Sequence, residues 1–142
     1  MTAEQLLYSK SAAARLLGVD LEEILDLQVW GTGIWVNIEG QRPRILSKKV
    51  FKQHFVDWRK AAARSLLVTP QVFARNTYTV RNETKETRYE VQLLSGCVTC
   101  TCEDFAKQRQ VFKQGCCKHL YAALKFCGYG SLADYLNTQV AA

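Results

Sequence analysis

The sequence predicts an α+β fold in two lobes, and three observations carry that expectation. Each half contains both helix-period and strand-period segments. A strongly helical stretch ends at Thr69-Pro70, one of only two prolines, where the pattern turns to alternating strand. The cysteines cluster between Cys97 and Cys127, with His119 among them, so the second half carries its own chemistry. A chain of 142 residues suits one medium domain or two small ones. The expected lobes are therefore 1–68 and 71–142.

In the first lobe, Ser9 or Ser11 can cap a short helix through Leu17, and Gly18 supplies its left-handed stop. Asp20-Leu21-Glu22-Glu23 reads as a capping box opening a second helix, with Leu21, Ile24 and Leu25 on one face. Ile34, Val36 and Ile38 alternate with Trp35, Asn37 and Glu39. Glu39-Gly40-Gln41 then turns the chain towards Ile45 and Leu46, which predicts a hairpin. From Ser47 a long helix is expected, with Phe51, Phe55, Trp58 and Ala62 as its buried stripe. Trp30, Trp35 and Trp58 are read as core, although Trp35 on the open face of the hairpin could stack on a base or pack on a partner. His54 reads as a packing or surface residue with nothing to pair with.

Helix, turn, helix, hairpin, helix resembles the winged helix-turn-helix domains of the excisionase and MerR type, over roughly residues 8 to 66. The opening helix and turn run from Ser11 to Val19. The resemblance implies DNA binding through the second helix. That helix, however, would carry Asp20, Glu22, Glu23 and Asp26 and no basic residue, so its carboxylates would repel phosphates. The wing, with Arg42 and Arg44, and the third helix, with Lys48, Lys49, Lys52 and Arg59, are better placed.

The charge agrees with an anionic partner without proving one. Nineteen Lys and Arg against thirteen Asp and Glu leave +6. Residues 1–68 hold ten basic and seven acidic, and residues 69–142 hold nine and six, so each half is +3. Basic surfaces gain affinity for nucleic acid by releasing counterions from phosphates. The opening residues lack the pattern of a signal peptide, and no apolar stretch approaches the roughly 18 residues of a membrane span. A cytoplasmic, reducing location is therefore expected, where clustered thiols beside a histidine point to metal before disulfides.

In the second lobe, Thr77–Arg81 and Arg88–Leu93 alternate around a turn-rich stretch and predict another hairpin, which Ser95-Gly96 breaks. Cys100-x-Cys102 follows, then fourteen intervening residues, then Cys117-x-His119. Three thiolates and one imidazole suit tetrahedral Zn²⁺ closed at four ligands. On a strand, Cys100 and Cys102 would face the same side. Cys117 just before a helix and His119 in its first turn can both reach inward, above an apolar stripe of Leu120, Ala123, Leu124 and Cys127. A lobe this small is one in which zinc can decide whether the chain folds at all. Spacing also allows Cys97 with Cys100, completed by Cys116 or Cys117 and His119. That set ranks second, because Cys97 directly follows the Ser-Gly break.

The stretch from Tyr78 to Cys127 resembles the SWIM-type zinc finger, whose pattern is Cys-x-Cys, a variable gap, then Cys-x-His after a β-hairpin. Tyr89-x-Val91, Cys102-x-Asp104-Phe105 and Cys117-Lys118-His119-Leu120 carry the likeness. By that pattern the ligands are Cys100, Cys102, Cys117 and His119, holding one structural zinc ion and leaving Cys97, Cys116 and Cys127 over. SWIM fingers are associated with nucleic-acid binding and protein interaction in transposases, helicase-like ATPases and recombination factors.

Lys107, Arg109, Lys113 and Lys118 line the segment between the ligand pairs and could grip phosphates. Catalysis is not expected. Cys117 and His119 would not face each other as nucleophile and base, a closed zinc leaves no position for water, and no phosphate-cradling glycine loop occurs. Asp104 reads as the N-cap of the following helix. The resulting expectation is a non-enzymatic zinc protein that binds nucleic acid, DNA favoured, as an accessory in a DNA-processing complex. Its rival is a protein-interaction adaptor whose zinc only holds the fold.

Overall fold

Residues 1–141 are described by a computed structural model, in which the chain forms two units, Met1–Trp58 and Arg59–Ala142. The fold is α+β, with two small antiparallel sheets and helices. Thr69-Pro70, the expected boundary, lies inside a strand of the second unit.

The first unit opens with a short helix α1 (Ala3–Leu7) and then α2 (Lys10–Leu17). Ser9 caps α2, its Oγ accepting from the Ala12 N–H at 3.1 Å, and Gly18 ends it at φ 68°, a conformation that favours glycine. The expected second helix is absent. Glu23 does reach back to the Asp20 N–H at 2.7 Å, but the turn it closes is a single 3₁₀ turn, Leu21–Glu23. The chain then extends as β1 (Ile24–Trp30). Tertiary pairing overrides the capping signal: β1 pairs antiparallel with β2 (Gly33–Ile38), which places Ile24 against Ile38. β3 (Arg44–Leu46) completes the sheet in the order β1-β2-β3.

This arrangement is not a helix-turn-helix, because one helix of the pair is a strand. Ile34, Val36 and Ile38 are buried as their alternation predicts, together with Tyr8, Ala13 and Phe51. Tyr8 meets Phe51 edge-on, with ring centroids 5.7 Å apart.

The long helix α3 (Lys48–Ala63) forms where expected, and the division between the units falls within it. Its buried phase differs from the predicted stripe. Phe51, Arg59 and Ala63 are buried, whereas Trp58 is 41% exposed and Phe55 and Ala62 are half-buried. At about 100° per residue, Arg59 and Ala63 stand well round the helix from Phe51, so the buried side of α3 shifts along its length instead of following one straight stripe. Trp58 instead carries the Arg15 guanidinium 3.9 Å over its ring, and Arg15 donates to His54 at 3.0 Å, so the histidine does have a partner. Trp30 is also exposed, stacked on Trp35 with centroids 6.0 Å apart, and is not core.

The second unit holds a four-stranded antiparallel sheet in the order β4 (Leu67–Pro70), β5 (Thr77–Asn82), β6 (Thr87–Leu94), β7 (Cys97–Cys100). Three helices follow: α4 (Glu103–Phe112), α5 (Lys118–Phe126) and α6 (Leu132–Ala141). Val80, Val91 and Leu93 from the sheet pack with Phe105 from α4 and Leu120, Ala123 and Leu124 from α5. The α5 stripe therefore faces the core as its periodicity predicts. α6 is tied to the sheet by Tyr135, whose hydroxyl donates to the Leu94 carbonyl at 2.8 Å. Among the described residues, no helix is long and apolar enough to cross a membrane.

Candidate metal centre

Cys100 is the last residue of β7, held opposite Val91 of β6. The hairpin closes just beyond it: Thr101 donates from its N–H to the Glu90 carbonyl at 3.1 Å, and the Glu90 N–H donates to Thr101 Oγ1 at 3.0 Å. Cys102 does not sit on the strand, as simple alternation had it. It is the N-cap of α4, with Sγ accepting from the Phe105 N–H at 3.3 Å. The cap expected of Asp104 is thus supplied by a sulfur, and Asp104 is released to point elsewhere.

Cys117 is the N-cap of α5 and makes no side-chain cap bond, and His119 follows within the first turn of the helix. All four side chains are buried, and their ligand atoms lie within 4.8 Å of one another. Sulfurs bound to one tetrahedral ion at about 2.3 Å stand roughly 4 Å apart, so this spacing fits a single ion.

The protonation pattern supports the same conclusion. Cys102 is held far below the ordinary thiol range, chiefly because the Cys100 and Cys117 thiols hydrogen-bond to it. Cys100 is pushed up to about 12, first by its hydrogen bond to Cys102. Cys117 is pushed up further still by its bonds to Cys100 and Cys102. Three adjacent thiolates in a buried site would repel one another unless a cation stood among them. Nδ1 of His119 is buried with no hydrogen-bond partner, and the ring packs on Tyr89 with centroids 4.5 Å apart. A divalent ion replaces the two thiol protons and gives a buried imidazole a partner, and the Cys₃His donor set is one that zinc prefers.

The remaining cysteines fall outside the cluster. Cys97 is exposed at the Ser95-Gly96 turn, and Cys127 is half-buried at the end of α5. Cys116 is buried, its thiol pushed up to about 12 by desolvation first.

A hydrogen-bonded chain that sequence reading missed fixes the segment before Cys117. Arg59 donates to both oxygens of Asp104, at 2.9 and 2.8 Å. Asp104 Oδ2 accepts from Gln108 Nε2 at 3.0 Å. Gln108, 2% exposed, accepts the Cys116 N–H at 2.9 Å and donates to the Cys116 carbonyl at 3.4 Å. A Cβ on Gly115 would stand 2.7 Å from the Cβ of Gln108, so glycine is required for this approach. Only the four-residue spacing of Asp104 and Gln108 on one helix face was readable beforehand.

The basic candidates are divided over both units. Arg42, Arg44, Lys49, Lys52, Arg109 and Lys113 are exposed, Lys48 and Lys118 are half-buried, and Lys107 pairs with Glu103 at 3.1 Å. Arg59 has to be withdrawn as a nucleic-acid contact, since its guanidinium is buried and committed to Asp104.

A two-strand turn and two helix starts that converge three sulfurs and one imidazole define a small zinc finger with a closed structural site. Residues 89–128 match the SWIM zinc finger family, and all four clustered residues lie within that stretch. No curated protein and no solved structure matches the chain significantly. The cluster fits one structural zinc ion. Bound there, zinc would supply cross-linking of β7, α4 and α5.

Proposed function

We propose that this protein is a non-enzymatic, zinc-stabilised accessory that binds nucleic acid, DNA in preference, through basic surfaces of both units. The observation that carries the reading is a set of exposed cations without protein counter-charges. Arg42, Arg44, Lys49 and Lys52 in the first unit, and Arg109 and Lys113 in the second, are in no carboxylate ion pair among the described residues. Such side chains cost self-repulsion in the free protein and gain most from phosphates. Four protein donors fill a tetrahedral zinc, which favours a structural over a catalytic role. The acidic stretch Asp20–Asp26 forms a turn and a strand, so the groove-reading helix of a helix-turn-helix has no counterpart here.

A protein-docking role is favoured by one separate observation. Val72 and Phe73, between β4 and β5, are 88% and 101% exposed, an unusual placement for adjacent large apolar side chains. Titrating the zinc-loaded chain with labelled duplex and single-stranded DNA at several salt concentrations separates the readings. A log–log salt slope corresponding to several phosphate contacts supports nucleic-acid binding, and no binding even at low salt overturns it.

A further inference from the structure

The second unit has a cationic cleft that the sequence patterns did not single out. Lys60 near the end of α3, Arg64 in the turn just beyond it, and Lys125 on α5 line a cavity of about 300 Å³, with Tyr121 and Tyr129 in its walls. That volume is at the lower end of the range for ligand pockets, large enough for one nucleotide unit. No acidic residue lines it, and none of the three cations is in a carboxylate ion pair among the described residues. The neighbouring Arg59 does not add to the cleft, because it turns inward to Asp104. Lys60 already lies 5.8 Å over the Tyr121 ring, which shows that a flat group and a cation meet on this wall. Beside the cleft, a shallower depression shares Arg64 and Lys125 and continues over Leu67 and Phe126, both exposed.

We infer that this cleft is a binding site for single-stranded nucleic acid, in which Lys60, Arg64 and Lys125 hold the phosphodiester backbone and Tyr121 or Tyr129 stacks a base. The inference rests on the nucleic-acid reading above and assigns it a place. A concave site with aromatic walls accepts an unpaired base, whose face is free to stack. A duplex presents stacked bases and a convex backbone, which this cleft does not match.

The test uses the full zinc-loaded chain, a fluorescein-labelled oligothymidine and a duplex of equal length, followed by fluorescence anisotropy. The triple variant Lys60→Ala, Arg64→Ala, Lys125→Ala is expected to keep one zinc per chain and to bind the single strand at least tenfold more weakly. Three lost contacts at about 0.7 each would flatten the salt slope by about two. Tyr129→Leu is expected to weaken binding severalfold with the slope unchanged, since stacking releases no counterions. Photocrosslinking of bromouridine-substituted DNA to the unaltered chain, mapped to peptides containing Tyr121 or Tyr129, supports the site without any variant. If the unaltered chain binds DNA while the triple variant keeps its affinity and slope, the cleft is not the site and the broader reading stands. If the variant loses duplex binding as much as single-strand binding, or if polyglutamate competes as well as the oligothymidine, the single-strand assignment is overturned. If the unaltered chain binds no DNA at low salt, the broader reading fails and this site with it.

Discussion

Arg59 and Asp104, 45 positions apart, form a two-pronged ion pair at 2.9 and 2.8 Å, with the Arg59 side chain 9% and the Asp104 side chain 35% exposed. Planar guanidinium on carboxylate is the strongest form such a pair takes, and here it joins the C-terminal part of α3 to the first turn of α4, which Cys102 caps. Removing Arg59 leaves a carboxylate whose other polar partner, Gln108, is itself nearly inaccessible. Fully buried pairs lose about 3–5 kcal/mol when one member is deleted, and the exposed edge of Asp104 lowers the expectation for Arg59→Ala to about 2 kcal/mol. Urea denaturation of the zinc-loaded chain reads this as a lower midpoint. The salt slope of DNA binding should not change, because Arg59 is not on the surface. A midpoint equal to that of the unaltered chain would show the pair to be energetically idle.

Gln108 extends the pair to the backbone of Cys116, the residue before a ligand. Replacing it with Leu keeps volume but takes from the buried Cys116 N–H and carbonyl the side chain they bond to. Polar groups that orient metal ligands commonly account for 10–100-fold in affinity. Gln108→Leu is therefore expected to retain one zinc per chain while losing it to a competing chelator about tenfold faster. Gly115→Ala should act in the same direction, since its Cβ has nowhere to go. Unchanged zinc release in both would remove any role for the chain in positioning Cys117.

The metal ligands were legible because thiolate and imidazole chemistry is local in sequence: two pairs, each with one residue between, supply all four donors. The α5 stripe and the β2 alternation were legible for the same reason, as period alone decides which face is buried. What could not be read depended on distant partners. Asp20–Glu23 is a sound capping signal, but whether a helix follows was decided by β2, whose apolar face needed β1 beside it. Arg59 looked like one more cation on a basic helix, because its carboxylate lies beyond four strands in sequence. Asp104 looked like a cap, because a cysteine sulfur is a weak acceptor that cap statistics do not favour.

Thiol chemistry distinguishes the four clustered residues from the other cysteines. Cys97 is exposed and Cys127 half-buried, whereas Cys116 is buried and its thiol is pushed up to about 12. Brief treatment of the zinc-loaded chain with a thiol reagent should label Cys97 first, Cys127 more slowly and Cys116 hardly at all. Zinc removal should add Cys100, Cys102 and Cys117 together and unfold the second unit, as should Cys102→Ala or His119→Ala. Native mass spectrometry gives the count directly: one zinc in the unaltered chain and in Cys97→Ala, none in Cys102→Ala. Loss of zinc from Cys97→Ala with retention in Cys102→Ala would reverse the ligand assignment.

Tyr78 provides a pH dependence away from the metal. Its phenol is pushed up to about 12, first by its hydrogen bond to the Cys127 sulfur and then by burial. Below about 10 the phenol is protonated in both the folded and the unfolded chain, so it adds no pH dependence there. Between about 10 and 12 the unfolded chain loses this proton while the folded one keeps it. Unfolding then releases a proton, and stability falls as pH rises through that window. Ultraviolet titration of tyrosinate should show Tyr78 ionising late in the zinc-loaded chain. Cys127→Ala removes the first cause, so one tyrosine's worth of absorbance should move down towards pH 10, and Tyr78→Phe should delete that component. If Cys127→Ala leaves the titration curve in place, the hydrogen bond is not what holds the proton.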